Sequence, residues 1–193
     1  QAISEYRQGL TKPRRTVLPY AYELASKIVS YLKKSTYVKQ VYSLGSLRRM
    51  EATVGDIDIA VASSQPKKVI EYFIRYPNVQ RIVEKGDKTA SIMVSGGDQI
   101  DLMVQPEESF GSLLQHFTGS KHHNIHLREY ALKKGLSLSE YGIKDRKGKL
   151  VKFPTEEAFY RVLGLDFIPP ELREDQGEIE AALRQAQGKL PGL

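Results

Sequence analysis

The residues best placed to do chemistry are carboxylates. In Gly55-Asp56-Ile57-Asp58-Ile59, acid and aliphatic residues alternate. In an extended strand such alternation sends Asp56 and Asp58 to one side, about 6.5–7 Å apart along the chain, and Ile57, Ile59 and Val61 to the other, into a core. Two carboxylates on one exposed face repel each other unless a cation sits between them, and a hard divalent ion such as Mg²⁺ suits all-oxygen ligation. Asp101, within Gln99-Ile100-Asp101-Leu102-Met103-Val104, is a third acid flanked by core-type residues on another predicted strand. Three acids from two strands can ligate two ions about 3.5–4 Å apart, the clamp used for in-line phosphoryl displacement. The competing reading makes them ordinary exposed strand positions. Asp is a poor strand former, so a pair in one strand with a third nearby favours function.

Ten residues before Gly55 stand Gly45 and Ser46, followed by Arg48 and Arg49. A glycine lets the backbone approach a ligand, and free amides with a serine hydroxyl can hold phosphate oxygens. Arginine adds charge-assisted hydrogen bonds to a triphosphate. Gly-Ser alone is a common turn; the paired-Asp strand that follows gives it weight.

Positioning these residues requires a sheet with helical support. Ala21, Leu24, Ala25, Ile28, Val29 and Leu32 recur at helical spacing, which predicts an amphipathic helix over 19–34 with Pro19 in its first turn. Strands are expected over 38–44, 56–62, 79–85, 89–94 and 99–104, and a helix over 66–75. Beyond Pro106 the pattern predicts helices over 109–116 and 121–134, the latter stopped by Gly135. A turn at Lys147-Gly148 and a helix over 155–163 capped by Thr155 complete a second, small α+β unit. Residues 1–18 read as a connector or the end of a missing element, 19–106 as one domain, 107–175 as a second, and 176–193, rich in Gln, Gly and charge, as a linker or tail.

Composition narrows the chemistry. The 193 residues contain no cysteine, which excludes disulfides, thiolate zinc sites and a cysteine nucleophile. No apolar run approaches the roughly 18–20 residues of a membrane span, and no signal-peptide pattern opens the chain. The formal net charge of +6 is uneven: +8 over 1–50, −1 over 51–100, +2 over 101–150 and −3 over 151–193. A basic first quarter suits a polyanion or a phosphorylated ligand, or equally a solvated helix surface. Position 1 is Gln, so a piece of a longer protein is expected.

With these motifs in order, the chain resembles the family X DNA polymerases, the group typified by DNA polymerase beta. Gly45-Ser-X-Arg-Arg followed by Gly55-Asp-X-Asp58 is similar to the family's nucleotidyltransferase palm. His116-Phe117-Thr118-Gly119-Ser120-Lys121, with Asn124 and Arg128, resembles its Y-F-T-G-S thumb motif; Glu140-Tyr141-Gly142 and Phe167 to Glu174 resemble later thumb elements. The resemblance covers roughly residues 19–180 and implies an α+β fold, a palm of mixed β-sheet with helices on one side followed by a small α+β thumb. It implies a DNA-directed DNA polymerase working by two-metal catalysis with Mg²⁺ (or Mn²⁺), on gapped or primer-template DNA and dNTP, in short-gap or base-excision repair. Asp56 and Asp58 match ligands of both metals, and Asp101 a ligand of the catalytic one that also takes or orients the primer 3′-hydroxyl proton. Gly45, Ser46 and Arg49 match the β,γ-phosphate segment, and Gly55 a backbone contact to the triphosphate. His116, Phe117 and Gly119 match the segment beside the incoming sugar, Asn124 a minor-groove contact to the incoming base, and Arg128 with Lys121 the DNA side.

Departures qualify that transfer. His116 stands where vertebrate-type members have Tyr, Gln99 and Met103 where they have Arg, and Lys121 where they have an Asp that packs on the base. Family members carry an N-terminal lyase-like region, and bacterial ones a C-terminal metal-dependent phosphoesterase; neither is recognisable in this chain, so weak extension of a gapped primer is expected of it alone. A cytoplasmic monomer is the expectation. Rival readings are another nucleotidyltransferase, a template-independent terminal transferase, or a non-catalytic DNA- or nucleotide-binding module.

Two further groups invite functional readings. His116, His122, His123 and His126 fall within eleven residues, and His122 with His126 has zinc-compatible spacing on one helix. No Glu completes an H-E-x-x-H pattern, so polar surface or minor-groove contact is the stronger expectation. Tyr20, Tyr22, Tyr31, Tyr37, Tyr72 and Tyr76 are expected to pack helices on the sheet, and Lys33-Lys34 and Lys133-Lys134 to be solvated helix ends.

Overall fold

A computed structural model describes residues 15–186 of the chain. Most of the expected connector, and the end of the expected tail, lie outside the described residues. What remains of the connector is structured: β1 (Thr16–Val17) pairs antiparallel with β3 (Thr53–Val54). The first helix, α1 (Leu18–Leu32), has Pro19 in its opening turn and buries Ala21, Ala25, Ile28 and Leu32, the stripe that its spacing predicts.

That stripe packs on a five-stranded sheet of order β2–β4–β7–β6–β5. Its strands are β2 (Gln40–Ser43), β4 (Ile57–Ala62), β5 (Val79–Lys85), β6 (Thr89–Val94) and β7 (Gln99–Gln105). β4 and β7 run parallel; the other pairs are antiparallel. A parallel pair needs a long crossover, and the chain makes it through α3 (Pro66–Phe73) and the hairpins of β5 and β6. Ile57, Ile59 and Val61 of β4 register with Ile100, Leu102 and Val104 of β7, and all six are buried beneath α1 and α3. Each such side chain contributes about 1.5–3 kcal/mol by leaving water, so this register is strongly held. Asp58 and Asp101, one residue out of phase, must therefore emerge on the opposite face.

β5 forms one edge of the sheet. Beyond Val79 its residues are exposed, with Ile82 and Val83 more than 40% accessible, and its pairing with β6 slips twice, between Val79 and Arg81 and between Ile82 and Glu84.

The second unit begins with a 3₁₀ turn at Glu107–Ser109 and α4 (Phe110–Thr118). Phe110, Leu113 and Leu114 pack on Leu44, Ala60 and Ala62, so α4 covers part of the acid-bearing face of the sheet. The palm's own helices α1 and α3 thus share one face, as expected, and the second unit's α4 lies on the other, where Ala60 and Ala62, small and apolar on the acid-bearing side of β4, admit it. A separate core around Leu127, Phe159, Tyr160 and Leu163 joins α5 (Lys121–Lys133), a small antiparallel sheet and α6 (Glu156–Val162). The sheet has the order β10–β9–β8, from Leu150–Val151, Gly142–Lys144 and Ser137–Ser139. Ser120 caps α5 by accepting from the His123 amide at 3.2 Å, and Thr155 caps α6 by accepting from the Ala158 amide at 3.2 Å.

The stretch that reads as linker contains α7 (Glu178–Ala186), which buries Ile179 and Ala182 in the second core. Its polar composition hides a short apolar stripe that this core completes.

Candidate active site

Asp58 and Asp101 are register partners on the two parallel strands, side by side at the centre of the sheet. Asp56 lies in the bend just before β4, outside the regular strand, and is exposed. Burial, then Asp101, then Asp56 push the Asp58 carboxyl up to about 7, because a second and a third negative charge are costly there. The Gln99 side-chain amide, on the same face of β7, donates to both oxygens of Asp101, at 3.0 and 3.2 Å.

The glycine turn closes over this acid group. α2 (Gly45–Arg48) is one turn long and follows β2 through Leu44, whose amide donates to the Asp58 carbonyl at 2.8 Å. Gly45 has φ +59°, and a Cβ there would come 3.2 Å from Asp58 Oδ2; glycine serves both the backbone angle and the close approach. Ser46 and Arg49 follow on the same turn. Gly55 sits beside Arg15, whose guanidinium is tied to Thr53 through the hydroxyl at 2.8 Å and through the carbonyl. Arg15 belongs to the stretch read as connector; only the β1–β3 pairing brings it here.

The two arginines after the turn reach into the second unit. Arg48 donates to the Thr118 hydroxyl at 2.6 Å and pairs with Glu156, which also accepts from Arg173 at 2.7 Å. Arg173 is fully buried, bonded to the Ile168 carbonyl and lying 5.2 Å from the Tyr160 ring centre. Arg49 donates to the Thr118 carbonyl at 2.6 Å and pairs with Glu174. Thus the turn that approaches the acids also fastens the two units together.

A profile described as DNA polymerase beta thumb matches residues 113–174, the segment from within α4 to just before α7. A bacterial protein named DNA polymerase/3′-5′ exonuclease PolX, from Bacillus subtilis (strain 168), is 37% identical over 172 residues, or 88% of this chain. The chain belongs to the family X DNA polymerases. It spans 30% of that bacterial relative's length. DNA polymerase lambda of Rattus norvegicus is 28% identical over 161 residues, covering 67% of this chain and 28% of its own. Repair DNA polymerase X of African swine fever virus (isolate Pig/Kenya/KEN-50/1950) is 25% identical over 163 residues, and there the match covers 89% of the viral protein.

Within this family X chain, the remaining predicted residues lie along α4 and α5. Half-buried His116 packs edge-on against Phe117, and its Nδ1 lies 3.3 Å from an Arg128 guanidinium nitrogen. Burial lowers the His116 pKa, with Glu140 opposing and Arg128 assisting. Asn124 is engaged on both sides of its amide, donating to the His116 carbonyl at 2.7 Å and accepting from Gln115 at 2.9 Å. Lys121 and Arg128 are exposed. Gly119 has φ +74°, and its backbone lies against Arg49.

The histidines divide. His123 is a core residue, fully buried between Glu178 at 2.6 Å and the Tyr160 hydroxyl at 3.0 Å. His126 contacts Asp175 at 2.9 Å and Glu180 at 3.3 Å, while His122 is exposed. Of the tyrosines, Tyr31 stacks on Tyr72 and meets Tyr76 edge-on between α1 and α3, whereas Tyr20 and Tyr22 are about half exposed. Among the described residues, no three His, Asp or Glu side chains stand close enough together to enclose a metal ion. No helix among them is long and apolar enough to cross a membrane.

Proposed function

We propose that this chain carries the nucleotidyl-transfer centre of a DNA-directed DNA polymerase acting in short-gap repair. The carrying observation is the register pairing of Asp58 with Asp101 on adjacent parallel strands, with Asp56 in the preceding bend. The donor set fits a hard divalent ion: the donors are carboxylate oxygens, and their mutual repulsion is what a cation at this point would relieve. Asp56, Asp58 and Asp101 would hold Mg²⁺ or Mn²⁺, which when bound would neutralise charge on the transferring phosphoryl group.

The chain's own residues do the rest. Asp101 accepts or orients the proton of the primer 3′-hydroxyl as its oxygen attacks the α-phosphorus; pyrophosphate leaves. The Ser46 hydroxyl and the Arg49 guanidinium hold the β- and γ-phosphates, beside the Gly45 and Gly55 backbones. Phe117 and Gly119 flank the sugar, with His116 next to them. Asn124 presents its amide to the base, and exposed Lys121 and Arg128 take the DNA strands. The polymerase names of the relatives support the same activity.

Mg²⁺-dependent incorporation of dNTP into a gapped primer-template, compared between wild type and Asp101→Ala, tests this reading. Template-directed incorporation in the wild type alone is the expected result. Equal rates in the two proteins would remove the mechanism, and template-independent addition would favour a terminal transferase.

A further inference from the structure

Arg49 is held unusually well for a side chain expected to meet a ligand. Nη1 donates to the Thr118 carbonyl at 2.6 Å, and Nε donates to the Glu174 carboxylate. The guanidinium packs so close to Gly119 that a Cβ there would lie 3.0 Å from Nη1. Nη2, with two N–H groups, has no hydrogen-bond partner among the described residues. The Arg49 side chain is 12% exposed and that of Glu174 34%, so solvent reaches both.

The position of Glu174 is fixed by its neighbours. Arg173 is wholly buried and bonded to the Ile168 carbonyl and to Glu156, while its own carbonyl accepts from the Ser120 amide at 3.0 Å. The backbone that presents Glu174 is therefore anchored to the second core and to the start of α5. The neighbouring Glu174 carboxylate, then burial, push the carboxyl of Glu51, on the palm side, up.

We propose that Glu174 is a positioning residue for Arg49: from near the end of the thumb it fixes the guanidinium plane, leaving Nη2 as the donor for a triphosphate oxygen. This rests on the phosphate-holding role assigned above to Arg49. Two effects oppose each other. A carboxylate beside the guanidinium weakens its pull on an anion; an arginine already held at two donors loses little freedom when the anion arrives. Orientation prevails because the Glu174 backbone is anchored and its bond is to Nε, leaving Nη2 unengaged. The consequence is that the palm's phosphate grip is complete only when the thumb is docked.

The test is Mg²⁺-supported binding of a dNTP to the 193-residue chain, by displacement of a fluorescent dNTP. The proteins compared are wild type, Arg49→Ala, Glu174→Ala, Glu174→Gln and the Arg49→Ala/Glu174→Ala pair. Glu174→Ala is expected to weaken binding about tenfold, and Glu174→Gln, whose amide oxygen still accepts from Nε, to stay within about threefold of wild type. In the Arg49→Ala background, Glu174→Ala should change nothing further. Thermal melts run in parallel confirm that binding is read below each unfolding transition. If Glu174→Ala tightens binding or leaves it unchanged while Arg49→Ala weakens it, the proposal fails and the role of Arg49 stands. Additive losses would also overturn it. If Arg49→Ala has no effect, the phosphate role of Arg49 fails and the proposal falls with it.

Discussion

At the centre of the sheet, Asp58 stands beside Asp101, and the charge of Asp56 in the preceding bend also bears on it. At the junction of palm and thumb, Glu156 is more deeply buried, 4% exposed, yet each of its oxygens receives an arginine, Arg48 on one and Arg173 on the other. The first arrangement raises the energy of the folded chain; the second satisfies every charge it buries. A fold keeps crowded charges of one sign where a ligand is to neutralise them, and neutralises with its own side chains those that only join elements.

The largest effect expected from this contrast is catalytic. Asp101→Ala should lower dNTP incorporation by about 10³-fold or more while leaving the melting temperature within a few degrees of wild type. A large stability loss would make Asp101 a structural residue and erase the distinction. The converse holds at the junction: Glu156→Ala, which leaves two arginines without their partner, should cost about 3–5 kcal/mol in denaturant unfolding. A cost below about 1 kcal/mol would show that this network is no stronger than a surface pair.

Asp58→Asn sharpens the comparison through pH. The folded-state pKa of Asp58, about 7, lies above its ordinary value of 3.8. The folded form therefore binds the proton more tightly, and this residue's contribution to stability grows as pH falls from about 7 toward 4. With a chelator present, Asp58→Asn should exceed wild type in stability by about 1–2 kcal/mol at pH 8, less than the full shift implies because solvent reaches the site. The advantage should vanish near pH 4; one that does not depend on pH would contradict the crowding argument.

The smallest effect belongs to the thumb. Burial holds the His123 pKa below 6.5; Glu178, although burial pushes it up, is held below 4.5 by hydrogen bonds from His123 and from backbone amides. Both folded-state values are depressed, so their contributions are present at neutral pH and are lost on acidification, from about 6.5 downward for His123 and from about 4.5 downward for Glu178. Amide exchange, corrected for its intrinsic pH dependence, should show α5 and α7 losing protection between pH 7 and 4 while β4 and β7 do not. Uniform loss across both units would remove the contrast.

Much of this was legible in the sequence because strand alternation is a strict rule. Ile57, Ile59 and Val61 had to face a core, and Asp58 had to face away. Asp56 was the exception: one residue outside the regular strand, alternation no longer governs where it points. Other features depended on partners distant in sequence. Arg173 carries no local signal of burial in its acid-rich stretch, and only the carbonyl of Ile168 and the carboxylate of Glu156 make its burial possible. His123 was grouped with its surface neighbours because Glu178 lies 55 residues away in a segment that reads as linker. The signal for that helix was present in Ile179, Ala182 and Leu183, at spacings of three and four, but too short to stand out from its charged setting. The Gln99–Asp101 contact was visible only as two polar residues on one strand face.

The free edge of the sheet has a consequence for how the protein keeps to itself. A straight strand carrying Ile82 and Val83 in the open would be a template for another chain to pair with, and so a seed for aggregation. In β5 the two slips of register interrupt the ladder, and Arg81, Glu84 and Lys85 place charge of both signs along it. The least buried strand of the sheet is thereby poorly suited to strand-to-strand assembly.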